Sequence, residues 1–192
     1  VTFIVYYSQC AIVYYSLDIS NCMDIEQIDS KVTALYNKIP NRYKYKYNTH
    51  DDIQNNSTGD FIIETCSLGI GGTIEEWSTL LGTTAEGIHL AQTVITGSLD
   101  LHHDHMVQGS LRVLILLSDT TVNVQQEGVD VLYTKGSVCV LDTSKQHSAI
   151  IVEDREGDNT QRWLIIENRK HKGRDVDAVF KDACEYLPSV LC

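Results

Sequence analysis

Three histidines and an aspartate occupy four consecutive positions, His102-His103-Asp104-His105, in a chain that has only seven histidines. Alternate side chains of a β-strand point to the same side, so in a strand His102 and Asp104 would share one face. An imidazole nitrogen and a carboxylate oxygen are both ligands of divalent metals. This short segment therefore predicts two ligands of a metal site.

His147 is the candidate for a third ligand, because it follows the polar segment 142–146 and opens the apolar run 148–152. It stands 43 residues after Asp104, a length that accommodates four strands, so an antiparallel barrel can bring the two residues together. Two histidines and one carboxylate on one side of a metal leave positions open for other ligands. That arrangement is the facial triad of non-haem Fe(II) oxygenases.

Arg162 stands at the start of the apolar segment 163–166. Burying its charge is costly without an anionic partner, and its planar guanidinium suits a carboxylate. A metal with open positions and an inward arginine are what a chelating keto acid needs. Its 2-oxo and C1 carboxylate groups would bind the metal, and its far carboxylate would pair with Arg162. We therefore expect the Arg162 guanidinium to face the barrel interior.

The elements that must position these residues are mostly strands. Apolar and polar residues alternate from about residue 87 to 167, and the separators are short and rich in Gly, Asp, Ser and Asn. Closely spaced strands with such turns indicate a sandwich or a barrel. The predicted strands are 88–94, 112–117, 121–125, 129–133, 137–141, 147–152 and 162–167.

Helices are predicted at three places outside this region. Residues 25–39 follow the helical period up to Pro40, residues 73–81 begin with a capping-box pattern, and residues 175–187 carry one apolar face. Two short strands are predicted at 4–8 and 12–16, where the motif Ile-Val-Tyr-Tyr-Ser is repeated. Helices packed outside an all-β core give a helix-buttressed jelly roll.

The ordered set of motifs resembles the 2-oxoglutarate/Fe(II)-dependent dioxygenases of the aspartyl/asparaginyl β-hydroxylase type, a group that includes hydroxylases of free amino acids such as proline. The matching elements are His102-x-Asp104, the segment that starts at Arg112, the segment 136–142 leading to His147, and Arg162 with its apolar strand. They run from about residue 100 to 167, roughly a third of the chain.

This resemblance implies a mainly β fold with flanking helices, a double-stranded β-helix of the jelly-roll, cupin-like type. It implies Fe(II) on His102, Asp104 and His147, with 2-oxoglutarate held by Arg162, O2 as co-reactant, and Arg112 in contact with the cosubstrate or the substrate. The implied reaction hydroxylates a C–H bond of a small amino acid or derivative and releases succinate and CO2. The vertebrate β-hydroxylases lack the carboxylate ligand, so Asp104 favours a small-molecule substrate over a peptidyl Asp, Asn or Pro.

Other interpretations of the same residues stay open at this point. The histidines could form a surface cluster without a metal, or His103 and His105 could supply the other face of the strand. Arg162 could make an ordinary ion pair. A cupin that binds Mn, Ni or Zn without 2-oxoglutarate would keep the metal ligands, and a sugar- or ligand-binding jelly roll would need none of them.

Composition sets the broader limits. The 192 residues are 43% hydrophobic, so we expect one globular domain. The net charge of −11 at pH 7 disfavours a nucleic-acid partner. Basic and aromatic residues nevertheless alternate in 42–47. We expect that segment to be an amphipathic strand. The domain would comprise buttressing elements in 1–85, the jelly-roll core in 86–168 and a helix in 169–192.

Cellular location is predicted from the cysteines and from the apolar segments. The six cysteines include no CxxC pair, and we interpret them as reduced thiols of a cytoplasmic protein. Residues 1–17 carry no charge but are too polar for a membrane-spanning helix, so no membrane association is expected. The sequence does not indicate an oligomeric state.

Overall fold

The structure is a computed structural model that describes residues 3–6, 14–18, 24–47, 53–54, 61–68, 88–104, 111–143 and 145–168. Most of these residues are in β-strands, and one α-helix packs against them. The elements are β1 (Phe3–Tyr6), β2 (Tyr14–Asp18), α1 (Ile25–Lys38), β3 (Tyr45–Tyr47), β4 (Ile53–Gln54), β5 (Ile62–Ser67), β6 (Ile88–Thr96), β7 (Leu99–Asp104), β8 (Leu111–Leu116), β9 (Thr120–Gln126), β10 (Val129–Tyr133), β11 (Ser137–Asp142), β12 (His147–Asp154) and β13 (Thr160–Asn168).

The strands form two sheets. The larger sheet has the order β1-β2-β11-β8-β13-β6-β5-β3 and the smaller one the order β10-β9-β12-β7-β4, with antiparallel neighbours throughout. From β6 to β13 the chain distributes eight strands between them, in the orders β11-β8-β13-β6 and β10-β9-β12-β7. This is the strand order of a double-stranded β-helix, so the predicted jelly roll of cupin type is confirmed.

Most of the predicted elements agree with the structure where it describes them. The strands from β8 to β13 match the predicted segments to within two residues at each end, and α1 matches the predicted first helix. Four strands, β8 to β11, lie between Asp104 and His147, as the spacing predicted. The predicted helices 73–81 and 175–187 lie outside the described residues, and the division into 1–85, 86–168 and 169–192 stays a prediction.

The prediction of a single strand over 42–47 is wrong in its first half. A 3₁₀ turn covers Asn41–Tyr43, and only β3 is extended. Pro40 has its ring-fixed φ of −60° and its carbonyl accepts a hydrogen bond from the Tyr43 amide at 2.9 Å. The proline therefore starts a turn before the tyrosine-rich strand can begin.

The inner core lies between the two sheets and follows from the period-2 pattern of the strands. In β9 the residues Thr120, Val122, Val124 and Gln126 are buried and alternate with half-buried ones. The buried apolar side chains of this core include Leu99, Leu116, Val122, Tyr133, Cys139, Leu141 and Trp163. Because the same rows contain Gln126 and His147, alternation brings polar groups into the barrel along with the apolar ones.

Helix α1 covers the outer face of the larger sheet. Asp24 caps its first turn by accepting a hydrogen bond from the Gln27 amide at 3.0 Å, and Ile28, Val32 and Leu35 form its buried stripe. The Tyr36 hydroxyl donates to Glu64, which is paired with Val94 across the β5–β6 ladder. The helix thus packs on the face opposite the inner core.

The hairpin between β9 and β10 turns through Glu127 and Gly128, whose φ angles are +50° and +83°. Two successive left-handed residues form the type I′ turn that suits the twist of a two-residue hairpin, and glycine adopts the second position at little cost. This turn places Gln126 directly opposite Val129 and so fixes which residues of β9 face inward.

Candidate metal centre

His102 and His147 lie side by side inside the barrel. They are direct partners in the ladder between β7 and β12, and their ring centroids are 4.4 Å apart. Both residues are almost fully buried, with 2% and 5% of their surface exposed. The structure therefore brings together two of the three ligands that the sequence predicts.

The hydrogen bonds of the two rings fix their tautomers. His102 Nδ1 lies 2.6 Å from the carbonyl oxygen of Asp100, and His147 Nδ1 lies 2.8 Å from that of Lys145. A carbonyl oxygen only accepts, so each Nδ1 carries the proton and, in the neutral ring, each Nε2 carries the lone pair. This is the orientation of a metal-ligating histidine, with one nitrogen held by the backbone and the other directed at the metal.

Asp104 is the last residue of β7 and pairs with Ile53 of β4. It stands two residues beyond His102, so strand alternation predicts that it shares the face of that histidine. Its side chain lies outside what the structure describes, and its role as the third ligand stays a prediction. Among the side chains that are described, no group of three His, Cys, Asp or Glu residues forms a metal site.

Gln126 is a residue of this region that the sequence analysis missed. It is the ladder partner of His147 across the β9–β12 pair and is 3% exposed. Its amide nitrogen donates to the carbonyl oxygen of Asp142 at 2.7 Å, and its amide oxygen accepts from the Asp142 amide at 3.3 Å. The signal that could have found it is the period of β9, which places Gln126 in the inward row of Val122 and Val124.

The expectation that Arg162 faces the barrel interior is wrong. Its guanidinium makes an ion pair of 2.5 Å with Asp29 and donates to the Thr33 hydroxyl at 3.2 Å, and both partners are on α1. Arg162 and Glu64 both pair with Val94, one in each neighbouring strand, so the two residues lie on the same face of the sheet. The next residue, Trp163, lies on the opposite face and belongs to the inner core. The anion that its charge required is therefore a carboxylate of this chain, on the outer face.

Arg112 is placed differently. It alternates in β8 with Leu114, which packs against the inner core, and it pairs with Leu141 of β11. The next residue of β11, Asp142, is the one that Gln126 holds. Arg112 thus belongs to the inward row at the end of the barrel where His147 lies, and it is half-buried.

A third group with acid–base chemistry, Cys139, lies deeper in the same interior. Burial raises the pKa of its thiol to about 12, against a smaller opposing effect of a hydrogen bond with Tyr133. The thiol therefore stays protonated at neutral pH and is neither a nucleophile nor a thiolate ligand. The chemistry of this interior rests on the imidazoles.

The donor set fits a divalent transition metal. Two imidazoles, each held through Nδ1 by a backbone carbonyl, lie next to each other on neighbouring strands, and the strand of one of them continues into a residue with a carboxylate. Such a set binds iron, manganese, nickel or zinc and leaves positions for a substrate.

In the described part of the chain, no helix is long and apolar enough to cross a bilayer.

No family model and no curated protein matches the sequence. Among solved structures, the EutQ protein of Clostridium difficile is 9% identical, with 64% of this chain and 79% of that chain covered and a TM-score of 0.39. A predicted oxalate decarboxylase of Thermotoga maritima is 16% identical, with 65% and 91% covered and a TM-score of 0.40. A cupin-2 domain protein of Shewanella frigidimarina is 14% identical, with 43% and 72% covered and a TM-score of 0.32. These likenesses are distant, and the double-stranded β-helix is identified by the strand order of this chain.

Proposed function

We propose that this chain is a metal-dependent enzyme of the double-stranded β-helix fold, with a divalent metal held by His102, His147 and Asp104. The observation that carries the proposal is the pair of buried histidines, 4.4 Å apart and each bound through Nδ1 to a backbone carbonyl. Burying two imidazoles together removes both from water, and coordination by one metal would offset that cost.

Iron(II) is the metal we favour, because two histidines and one carboxylate with open positions form the ligand set of non-haem Fe(II) oxygenases. When bound, it would activate O2 for hydroxylation of a C–H bond, with 2-oxoglutarate as cosubstrate. The chain itself would hold the ligands, orient the substrate and exclude water. The apolar residues beside the histidines, Val124 and Ala149, support this last role because they leave no competing polar group at those positions.

Arg112 is the residue we propose as the anchor for the carboxylate of the cosubstrate or of the substrate. Arg112 is in the inward row near His147, whereas Arg162 lies on the other face of the sheet, against Asp29 of α1. A guanidinium in a partly water-excluded site binds a carboxylate with two parallel hydrogen bonds. This assignment moves the carboxylate anchor from Arg162 to Arg112 and leaves the proposed reaction unchanged.

The substrate we propose is small and resembles an amino acid. Large buried side chains, among them Tyr133, Trp163 and Leu116, fill the barrel beyond the histidines. A small molecule, or the end of a larger one, would therefore approach from the end of the barrel where His147 lies. We also propose, as the sequence predicts, that the protein is cytoplasmic and has no nucleic-acid or membrane partner.

A cupin-type metalloenzyme that does not use 2-oxoglutarate is the second candidate. The ion pair between Arg162 and Asp29 favours it, because it removes the keto-acid anchor on which the first interpretation relied. In that case the same three ligands would hold the metal, and Arg112 would bind an acidic substrate directly.

An anaerobic titration of the metal-free protein with Fe(II), and then with 2-oxoglutarate, tests these alternatives. We expect a visible charge-transfer band that needs both components and that is retained in Arg162→Met. In Arg112→Met the 2-oxoglutarate concentration at half-saturation should rise about tenfold or more, since a charged partner is lost. Iron binding without a band would support the second candidate, and absence of metal binding would overturn the proposal.

A further inference from the structure

The segment that carries His147 into the barrel is short. Strand β11 ends at Asp142 and β12 begins at His147, and we refer to the described residues between these two points, 142–143 and 145–147, as the ligand turn. The ring of His147 can hold one orientation only if the backbone of this turn is itself held. The hydrogen bonds of the turn show how that is done.

Four hydrogen bonds connect Gln126 with the imidazole. The Gln126 amide nitrogen donates to the Asp142 carbonyl at 2.7 Å, and the Asp142 amide donates back to the Gln126 side-chain oxygen at 3.3 Å. The same Asp142 carbonyl accepts from the Lys145 amide at 3.1 Å. The Lys145 carbonyl, at 2.8 Å, then accepts from His147 Nδ1.

The position of Gln126 makes this connection rigid. Its side chain is buried, so each of its amide groups loses water and needs a protein partner, and both groups find that partner in the backbone of Asp142. A second link, the ion pair between Lys145 and Glu127 at 2.9 Å, is partly exposed to solvent and contributes little. Of these two links, the buried amide is therefore the stronger restraint on the turn.

We infer that Gln126 is a positioning residue of the metal site, which acts through Asp142 and Lys145 to fix the tautomer and orientation of His147. It holds the Lys145 carbonyl where it accepts the proton on Nδ1, and so keeps the lone pair on Nε2. The metal readout of this inference rests on the proposed function, whereas the tautomer readout does not. Loss of an outer hydrogen-bond partner of this kind costs about 10–100-fold in metal affinity.

The test compares Gln126→Met with Gln125→Met. Methionine keeps the length of the buried side chain and removes both hydrogen bonds to Asp142. Gln125 is the preceding residue of β9 on the opposite face, and its amide donates to Asp130 at the surface. The control therefore makes the same chemical change in the same strand without touching the ligand turn.

The first readout is the tautomer of each histidine in the metal-free protein, from two-bond nitrogen–proton NMR spectra. We expect His147 to be protonated at Nδ1 in the wild type and in Gln125→Met, and to become a mixture of tautomers in Gln126→Met. His102, whose Nδ1 donates to Asp100, should keep its tautomer in all three proteins. A general loosening of the barrel would instead change both histidines.

The second readout is the affinity for Fe(II), which should fall about 10–100-fold in Gln126→Met and stay within twofold in Gln125→Met. If Gln126→Met does not fold, Gln126→Glu replaces it, because the carboxylate opposes the Asp142 carbonyl and should disturb the same tautomer. An unchanged His147 tautomer in the folded variant would overturn the inference. A wild type that binds no metal would overturn the proposed function, and the NMR result would still decide the role of Gln126.

Discussion

A histidine binds a metal only through a nitrogen that carries no proton. In this chain the backbone makes that choice for both rings, since the carbonyls of Asp100 and Lys145 each accept a hydrogen bond from the Nδ1 of the histidine two residues later. The donor atoms are thus prepared before any metal arrives, which lowers the cost of ordering them on binding. The histidine types and their spacing were visible in the sequence, but these carbonyl partners were not.

Arg162 shows why the anionic partner of an arginine is hard to predict. The sequence establishes that a cation at the start of an apolar strand needs an anion, but not whether that anion is a ligand or a distant part of the chain. The partner here is Asp29, 133 residues earlier on α1. Only the packing of the helix on the sheet brings the two charges together.

We expect the pair formed by Arg162 and Asp29 to stabilise the fold and to have no part in binding the cosubstrate. Arg162→Met and Asp29→Asn should each lower the free energy of unfolding by roughly 1–3 kcal/mol, because each leaves a partly buried charge without its partner. Urea denaturation of the two variants and of the double variant should give a coupling energy of about 1–2 kcal/mol. Additive losses, together with a loss of 2-oxoglutarate binding in Arg162→Met, would restore the original assignment.

Among the elements, α1 and the strands from β8 to β13 were predictable because their signals are local. Alternation with period 2, short polar turns, and a helical stripe that ends before Pro40 are all contained in a few residues of sequence. Which strand pairs with which is not local, and His102 meets His147 only because β7 and β12 are neighbours in the smaller sheet. The spacing between the two histidines allowed that pairing but did not require it.

Helix α1 should contribute to stability through its buried stripe and leave the metal site unaffected. Leu35→Ala removes a side chain that is 3% exposed, and we expect it to lower the free energy of unfolding by about 2–5 kcal/mol. Asn37→Ala, at an exposed position of the same helix, should change it by less than about 0.5 kcal/mol.

Urea denaturation measures the stability of both helix variants, and a metal titration of the folded proteins gives their affinities. Equal stability of the two variants would contradict the packing of α1 on the larger sheet. A loss of metal affinity in folded Leu35→Ala would contradict the separation of the helix from the metal site.

On the scale of the whole molecule, the larger sheet separates two environments. One face packs against α1 and carries the pair of Arg162 with Asp29, and the other lines the barrel with Cys139, Trp163 and the rest of the inner core. The sequence predicts both layers, since it indicates helices packed outside an all-β core. It does not predict which polar residues take each side, because the faces of a strand depend on its register with its neighbours.

The buried thiol of Cys139 should make the stability of the whole domain sensitive to alkaline pH. Its pKa in the folded protein is raised to about 12 by burial, from an ordinary value of 9.0. Above pH 9 the unfolded chain loses this proton and the folded chain keeps it, so its contribution is full below pH 9 and falls by up to about 1.4 kcal/mol per pH unit towards pH 12.

The variant Cys139→Ala lacks this ionisation, while Cys66, whose thiol pKa is also raised by burial, remains in both proteins. We therefore expect the stability advantage of the wild type over Cys139→Ala to shrink as the pH rises from about 8 to about 10.5. Urea denaturation at the two pH values measures it. An advantage that stays constant would show that the thiol is accessible to water in the folded state.

The central claim is that His102 and His147 hold one metal ion, and anaerobic equilibrium dialysis against Fe(II) tests it most directly. We predict one equivalent of iron in the wild type and in Arg162→Met. In His102→Ala and His147→Ala the affinity should fall by more than the roughly 10–100-fold that loss of an outer hydrogen-bond partner costs. Full iron binding by both folded histidine variants, or none by the wild type, would contradict the account.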